Sequence, residues 1–162
     1  MLAVADAGPL HYLVLTGTIG LLPRFFPTVL VPQVVCDELR HARAPSAVRD
    51  WIAAPPAWLR IIPTPDPEAL PFPRLDIGER AAIALALAEK AEILLIDDRR
   101  GVAIAQAHGL TSIGTLGLLD QAATRGMIDF AAVAAQLRAT NFRYPSDLVD
   151  ALIARHRKGP GP

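Results

Sequence analysis

Three short, almost wholly apolar runs constrain the fold more than anything else in the chain: LAVA (2–5), TVLV (28–31) and ILLI (93–96). Each is too short for a helix, and none alternates apolar with polar residues, so both sides of each strand face apolar surroundings. Strands of that kind belong to a parallel sheet with helices packed on both faces. The intervening segments have helical character. Pro9 opens one stretch, since proline is tolerated in a first turn, and Pro32 opens another, PQVVCDELRHA. LDIGERAAIALALAEKA (75–91) is apolar nearly all round and predicts a buried helix. After ILLI a helix runs to Ala107 or His108 with Gly109 as its stop. TSI (111–113) predicts a last short strand, followed by a helix ending near Gly126 and two more over 129–139 and 146–157.

Strand and helix therefore alternate, and the predicted class is α/β: a parallel central sheet flanked by helices on both faces, in a single domain over residues 1–158. The one compositional break is the proline-rich passage APPAWLRIIPTPDPEALPFPR (54–74). It reads as a rigid connection enclosing a short strand at Leu59 to Ile62. The ending RHRKGPGP is expected to fray, with 159–162 a disordered tail.

Composition narrows the function classes. Sixteen basic and sixteen acidic residues cancel, so any nucleic-acid contact must come from a local patch. Lys90 and Lys158 are the only lysines; arginine supplies the remaining positive charge. Cys36 stands alone, which excludes an intrachain disulfide. MLAVADAGPL has no positive leader region and carries an aspartate at position 6, unlike a signal peptide. The longest apolar stretch, Ala81 to Ala88, is too short to span a bilayer, and the expected location is the cytoplasm, with no membrane partner. GxxxxGK[ST] and GxSxG are missing, GTIG and GTLG lack dinucleotide spacing, and His11, His41, His108 and His156 lack zinc-ligand spacing.

The remaining chemistry is carboxylate chemistry. In a parallel sheet, ligands bind beyond the carboxyl ends of the strands. Asp6 directly follows the first strand, and Asp97 and Asp98 directly follow ILLI. The helix beginning near Asp76 starts at that same edge with Glu79 in its first turn, and Glu38 lies on the helix opened by Pro32. Adjacent carboxylates repel unless a cation sits between them, and acids gathered without lysines suit a hard divalent ion such as Mg²⁺ or Mn²⁺. Each acid also has a plainer use. Asp6 suits a turn or a helix cap, Asp76 and Glu79 fit a capping box, Glu38 suits an exposed helix face, and one of Asp97 and Asp98 suits a cap. Four coincidences on one edge are less probable than any one.

VADAGPL, VVCDEL, IGERAAIALAL and LLIDDRR, in that order and at these separations, resemble the PIN domain, the fold of VapC-type toxins. They resemble in particular a prokaryotic branch with IDD after the fourth strand and IGTLGLL after the fifth. The resemblance runs from about Ala3 to Ile128 and extends through LRATNFRYP. It implies a Mg²⁺- or Mn²⁺-dependent ribonuclease that leaves a 5′-phosphate. Asp6 matches the first acid, Glu38 the second, and Asp97 or Asp98 the fourth. Glu79 falls where most PIN domains place an aspartate, one methylene shorter. Ile96 stands near where many relatives carry Thr or Ser, so a hydroxyl beside the fourth acid is missing.

On that reading Asp6, Glu38, Glu79, Asp97 and Asp98 are the catalytic and metal-binding set, with neighbouring strand residues facing opposite ways. Arg99 and Arg100 are candidates for the RNA backbone, as are Arg155, Arg157 and Lys158. The expected partners are RNA, a small antitoxin protein, and a second copy of the chain through the 81–88 helix or GTLGLLDQAA. The alternative is a non-catalytic binding or regulatory module whose acidic pocket takes an arginine from a partner. A receiver-like phosphoacceptor domain fits less well, because Asp6 has no second acid beside it and no lysine lies near the last strand.

Overall fold

Residues 1–157 are described by a computed structural model; the expected tail at 159–162 and Lys158 lie outside the described residues. Strands β1 (Leu2–Ala5), β2 (Thr28–Pro32), β3 (Leu59–Ile62), β4 (Ile93–Leu95) and β5 (Ser112–Ile113) form one sheet in the order β3-β2-β1-β4-β5. Every pairing is parallel, with Ala5 opposite Leu95, Val4 opposite Leu30, and Leu95 opposite Ile113. The winding reverses between β1 and β4, because the chain moves outward to β2 and β3 before returning across β1. That reversal opens a crevice at the carboxyl ends of the two strands.

The helices divide between the faces as unbroken apolar strands require. Successive strand residues point to opposite sides. Ala3, Ala5, Val29, Val31 and Leu95 join one buried cluster. Val4, Leu30, Leu94 and Ile96 join the other. The first cluster receives α1 (Ala7–Leu15), α3 (Gln33–Leu39), α7 (Thr115–Thr124) and α8 (Phe130–Arg138), and one buried residue, Val149, of α9 (Ser146–Arg157). The second receives α5 (Ile77–Ala88) and α6 (Arg99–Ala107), through Ala82, Ile83, Ala86 and Ala105. The apolar residues of α5 are thus used inside the domain.

Three local departures from the sequence reading have physical causes. Helix α1 begins at Ala7, so Pro9 lies in its first turn without opening it. Two helices went unforeseen: α2 (Leu22–Phe25), which is a single turn, and α4 (Ser46–Ala53), which buries only Val48 and Ile52, one turn apart. Helix α9 spans 146–157 as predicted, so Arg155, His156 and Arg157 are helical although the ending that begins at Arg155 was expected to fray. Asp120 of α7 holds it, with His156 Nε2 at 2.7 Å and Arg155 Nη1 at 3.3 Å, while the His156 ring stacks on Phe130. Gly109 does end α6, at φ +80, a backbone conformation that side chains disfavour.

The proline-rich connection is held from α5. Arg80 donates to the carbonyls of Pro67, Leu70 and Pro71 at 3.1, 2.6 and 3.0 Å, fixing a segment that has little ladder hydrogen bonding of its own. Among the described residues no helix is long and apolar enough to cross a membrane. Ile83, fully buried one turn after Glu79, ties α5 to the sheet. Ile83→Ala is expected to cost about 2–5 kcal/mol in urea unfolding.

Candidate metal centre

Asp6 occupies the residue after β1 and stays on the ladder, its N–H donating to Leu95 O at 2.9 Å. It stands at the N-cap position of α1 yet makes no capping bond through its side chain. The carboxyl is instead buried, 8% exposed, on the α5 side of the sheet. Parity explains the direction: Ala5 belongs to the α1 face, so the next residue faces α5.

There it meets acids from two helices. Asp76 caps α5, accepting from Glu79 N at 2.9 Å, and thereby fixes the first turn of that helix. Glu79 is itself buried, 8% exposed, a turn away from Ile83. Glu38 reaches in from the last turn of α3 while keeping much of its surface in water. The meeting point is the bare Cα of Gly78. A methyl group there would lie 3.1 Å from Glu38 Oε2, 3.4 Å from Asp6 Oδ1 and 3.5 Å from Asp76 Oδ1. Three carboxylates thus open on a space that glycine leaves vacant.

The doubled aspartate divides by the same parity. Asp97 turns to the other side of the crevice, where Thr115 N and Thr115 Oγ1 donate to its two oxygens, each at 2.7 Å. Gly8 and Gly114 wall that slot, since a Cβ on either would stand 3.2 or 2.8 Å from an Asp97 oxygen. Asp98 returns to the α5 side. It caps α6 by accepting from Arg100 N at 3.0 Å, and its charge acts on Glu79. Asp6, Glu38, Glu79 and Asp98 are brought to one side, and Asp97 is not. Ile96 offers no hydroxyl here, and the one that reaches Asp97 comes from Thr115, the first residue of α7.

Sequence reasoning placed Asp76 at a cap but not in the cluster, and missed Thr115 altogether. Arg99 and Arg100 lie at the exposed start of α6 and line a cleft of about 830 Å³ with Phe142, Arg143 and Tyr144. A second cleft, of about 350 Å³, opens between α1 and the end of α3 and is lined by Gly8, His11, Tyr12, Glu38, His41 and Arg43.

The electrostatics are those of acids without a counter-ion. Burial raises the Asp6 carboxyl to about 8; the Ala7 N–H opposes this, and the charges of Asp76, Glu38 and Glu79 add to it. Burial and then Asp76 and Asp98 raise Glu79 to about 7. Desolvation and Asp76 push Glu38 upward as well. Asp97 is raised by burial and pulled back by its two bonds to Thr115. Among the described residues the salt bridges involve only Asp120 and Asp150, so no cation side chain answers this group.

Among the described residues no three Asp, Glu, His or Cys side chains already stand in a metal-ligating arrangement. The donor set nonetheless suits a hard divalent cation in type: every candidate atom is a carboxylate oxygen, and oxygens of Asp6, Glu38 and Asp76 converge above Gly78. Carboxylates lacking a cation hold one another apart by repulsion.

A family model described as a PIN domain matches residues 2–158. PIN domains generally bind nucleic acid, and the fold is generally that of a nuclease. Among solved structures, a PilT N-terminus domain protein from the hyperthermophilic archaeon Sulfolobus solfataricus P2 is similar, with a TM-score of 0.53 at 13% identity. The likeness covers 89% of this chain and 100% of that one, and it bears on the fold alone. No curated protein matches the chain.

Asp6 titrates at about 8 when folded, against 3.8 for an ordinary aspartate. Between those values the folded chain keeps a proton that the unfolded chain releases, so stability is lost as pH rises through that window. Without divalent cations the melting temperature is expected to fall from pH 5 to pH 8.5. Asp6→Asn should flatten that fall, by about 2–4 °C for each kcal/mol recovered. Differential scanning calorimetry across this pH range checks both.

Proposed function

We propose, on the premise that the chain belongs to the PIN-domain family, that it is a ribonuclease hydrolysing RNA phosphodiesters with a bound Mg²⁺ or Mn²⁺. One observation carries the reading: oxygens of Asp6, Glu38 and Asp76 converge on the space above Gly78. Asp6, Glu38, Glu79 and Asp98 are the residues that would hold the ion, with Asp76 close enough to share it or to hold one of its waters. Asp97, bonded twice to Thr115, acts as a brace for the β4–β5 mouth. The ion supplies a water of lowered pKa and charge to offset that growing on the phosphate.

The chain's own residues do the rest. Strand β1 and the cap at Asp76 fix Asp6 and Glu79 at the crevice. The buried setting of those two excludes bulk water from one side of the site. Arg99 and Arg100, a residue or two beyond Asp98, are suited to the RNA backbone through planar guanidinium contacts with phosphate. A cut leaving a 5′-phosphate belongs to the same reading. The same acidic pocket suits a cationic side chain from a small partner protein, and the toxin of a toxin–antitoxin pair is the setting in which that partner would be an antitoxin.

Asp6→Asn is expected to lower Mn²⁺-dependent cleavage of a single-stranded RNA by about a hundredfold or more while the chain stays folded, and EDTA should stop the wild type. Cleavage that survives both would sink the reading. Gly78→Ala gives a test that needs no substrate. Alanine favours the helix by about 1 kcal/mol, but its methyl group fills the space on which the acids open. The variant should melt at or above the wild-type temperature and lose the stabilisation that Mn²⁺ gives the wild type, an effect larger at pH 8 than at pH 5.5 because protons compete for the same oxygens.

A further inference from the structure

The segment after α8, NFRYP (141–145), has no part in the acid cluster, yet it forms one wall of the larger cleft, opposite the Asp97–Arg100 turn. It is held from behind. Tyr12 Oη donates to Asn141 Oδ1 at 2.9 Å, and the Tyr12 ring meets Phe142 edge-on with centroids 4.8 Å apart. Phe142 and Tyr144 stack with centroids 5.8 Å apart and planes 23° apart, and the Arg138 guanidinium lies 5.9 Å from the Tyr144 ring. Arg138 is in turn paired with Asp150 at 2.6 Å. Two half-buried aromatic rings are thus fixed at the cleft before anything binds there.

The charges of the cleft are unequal in availability. Arg99, Arg100 and Arg143 make no salt bridge among the described residues. Of the two acids in the same cleft, Asp97 accepts twice from Thr115, and Asp98 accepts from the Arg100 backbone N–H and acts on Glu79 on the α5 side. Three arginines and a stacked pair of aromatic residues therefore line a space of about 830 Å³, large enough for about one or two nucleotides. Phosphate answers the first set and a flat, unpaired base answers the second. A duplex keeps its bases stacked inside and offers only the phosphates.

We propose that this cleft is a binding subsite for a single-stranded polynucleotide, with a base against Phe142 and Tyr144 and flanking phosphates on Arg143, Arg99 and Arg100. It rests on the nuclease reading for its purpose, since it would hold the strand beside Asp98, but its binding chemistry is independent of any metal. The site is shared by RNA and single-stranded DNA, and the two are separated by the test.

The test is fluorescence anisotropy of the full chain in EDTA with labelled ten-residue oligouridylate, oligothymidylate and an RNA duplex, with inorganic polyphosphate as competitor. The single strands should bind, and the duplex and polyphosphate should compete poorly. Tyr144→Ala should weaken oligouridylate binding about tenfold, whereas Tyr144→Trp should retain it and show quenched fluorescence on binding. Arg143→Ala, an exposed change, should lower the slope of log K against log salt by about 0.7 for each phosphate left without its arginine. A preference for oligouridylate over oligothymidylate would assign the site to RNA, and equal binding to single strands in general; either supports the subsite. The proposal is overturned if folded Tyr144→Ala and Arg143→Ala variants bind as the wild type does, if polyphosphate competes as well as oligouridylate, or if no oligonucleotide binds and the face serves a protein instead. Cleavage by the wild type with unchanged variant binding removes the subsite and leaves the nuclease. Binding through Tyr144 with no cleavage under Mn²⁺ or Mg²⁺ removes the nuclease and leaves the subsite.

Discussion

The register of β1 on β4 is the constraint on which the rest depends. With Ala5 opposite Leu95, the first residue beyond β1 and the first beyond β4 lie side by side, and both face α5. Ile96 uses that direction to fill the core, and Asp6 uses it to reach Gly78 and Glu79. A one-residue slip would send Asp6 to the same level as a different neighbour and reverse the parity of every acid after β4. The apolar runs that fix the register are therefore also what aims the carboxylates.

The site lies at the expense of stability. An acid buried beside other acids, with no cation side chain to answer it, favours its neutral form, and every charge added at neutral pH works against the fold. The surrounding structure supplies the compensation. Ile83 and Ala82 anchor α5 from below, Asp76 caps its first turn, and Arg80 clamps the proline-rich segment beside it. Helix α5 is thus fixed by core, cap and clamp at the place where its charges would push it away. Conflict of this kind, concentrated at one end of an otherwise consistent fold, is what a functional site is expected to show.

The three apolar runs, the proline-bounded helices and the short strand at Leu59 to Ile62 were legible because each depends on local pattern alone. Helix α4 was not, since its buried pair Val48 and Ile52 is flanked by charged and small residues and by prolines that read as loop. Asp6 was legible as an acid at a strand end, Glu79 as one in a helix's first turn, and Glu38 as one farther along the helix after Pro32. The choice between Asp97 and Asp98 was not, because it turns on which side each residue faces beyond the strand. Thr115 left no signal, as its value comes from the pairing of β4 with a strand only two residues long. Asp76 was visible only as a cap. Its second role depends on how α5 leans against β1, which no spacing along the chain reveals.

A chain with sixteen charges of each sign has no field to draw a polyanion from a distance, so attraction must come from how the charges are sorted. The sorting follows the crevice. Acids gather on the α5 side, while Arg99, Arg100 and Arg143 face the cleft on the other side of Asp98. Tyr12 links the two clefts, lining the smaller and backing Phe142 of the larger. Burial is the main cause that raises its phenol, with Asp97 raising it further and Arg143 opposing, which puts both charges within reach of one ring. Under the proposed function, a strand lying on the arginines would carry one phosphate toward the acids, where its charge would be repelled unless a cation intervened. On that reading, binding by the basic wall and repulsion by the acidic one are separable, and only the second would depend on a metal. Under the proposed function, binding of RNA without a cation and its approach to the acids with one would both follow from the same division of charge.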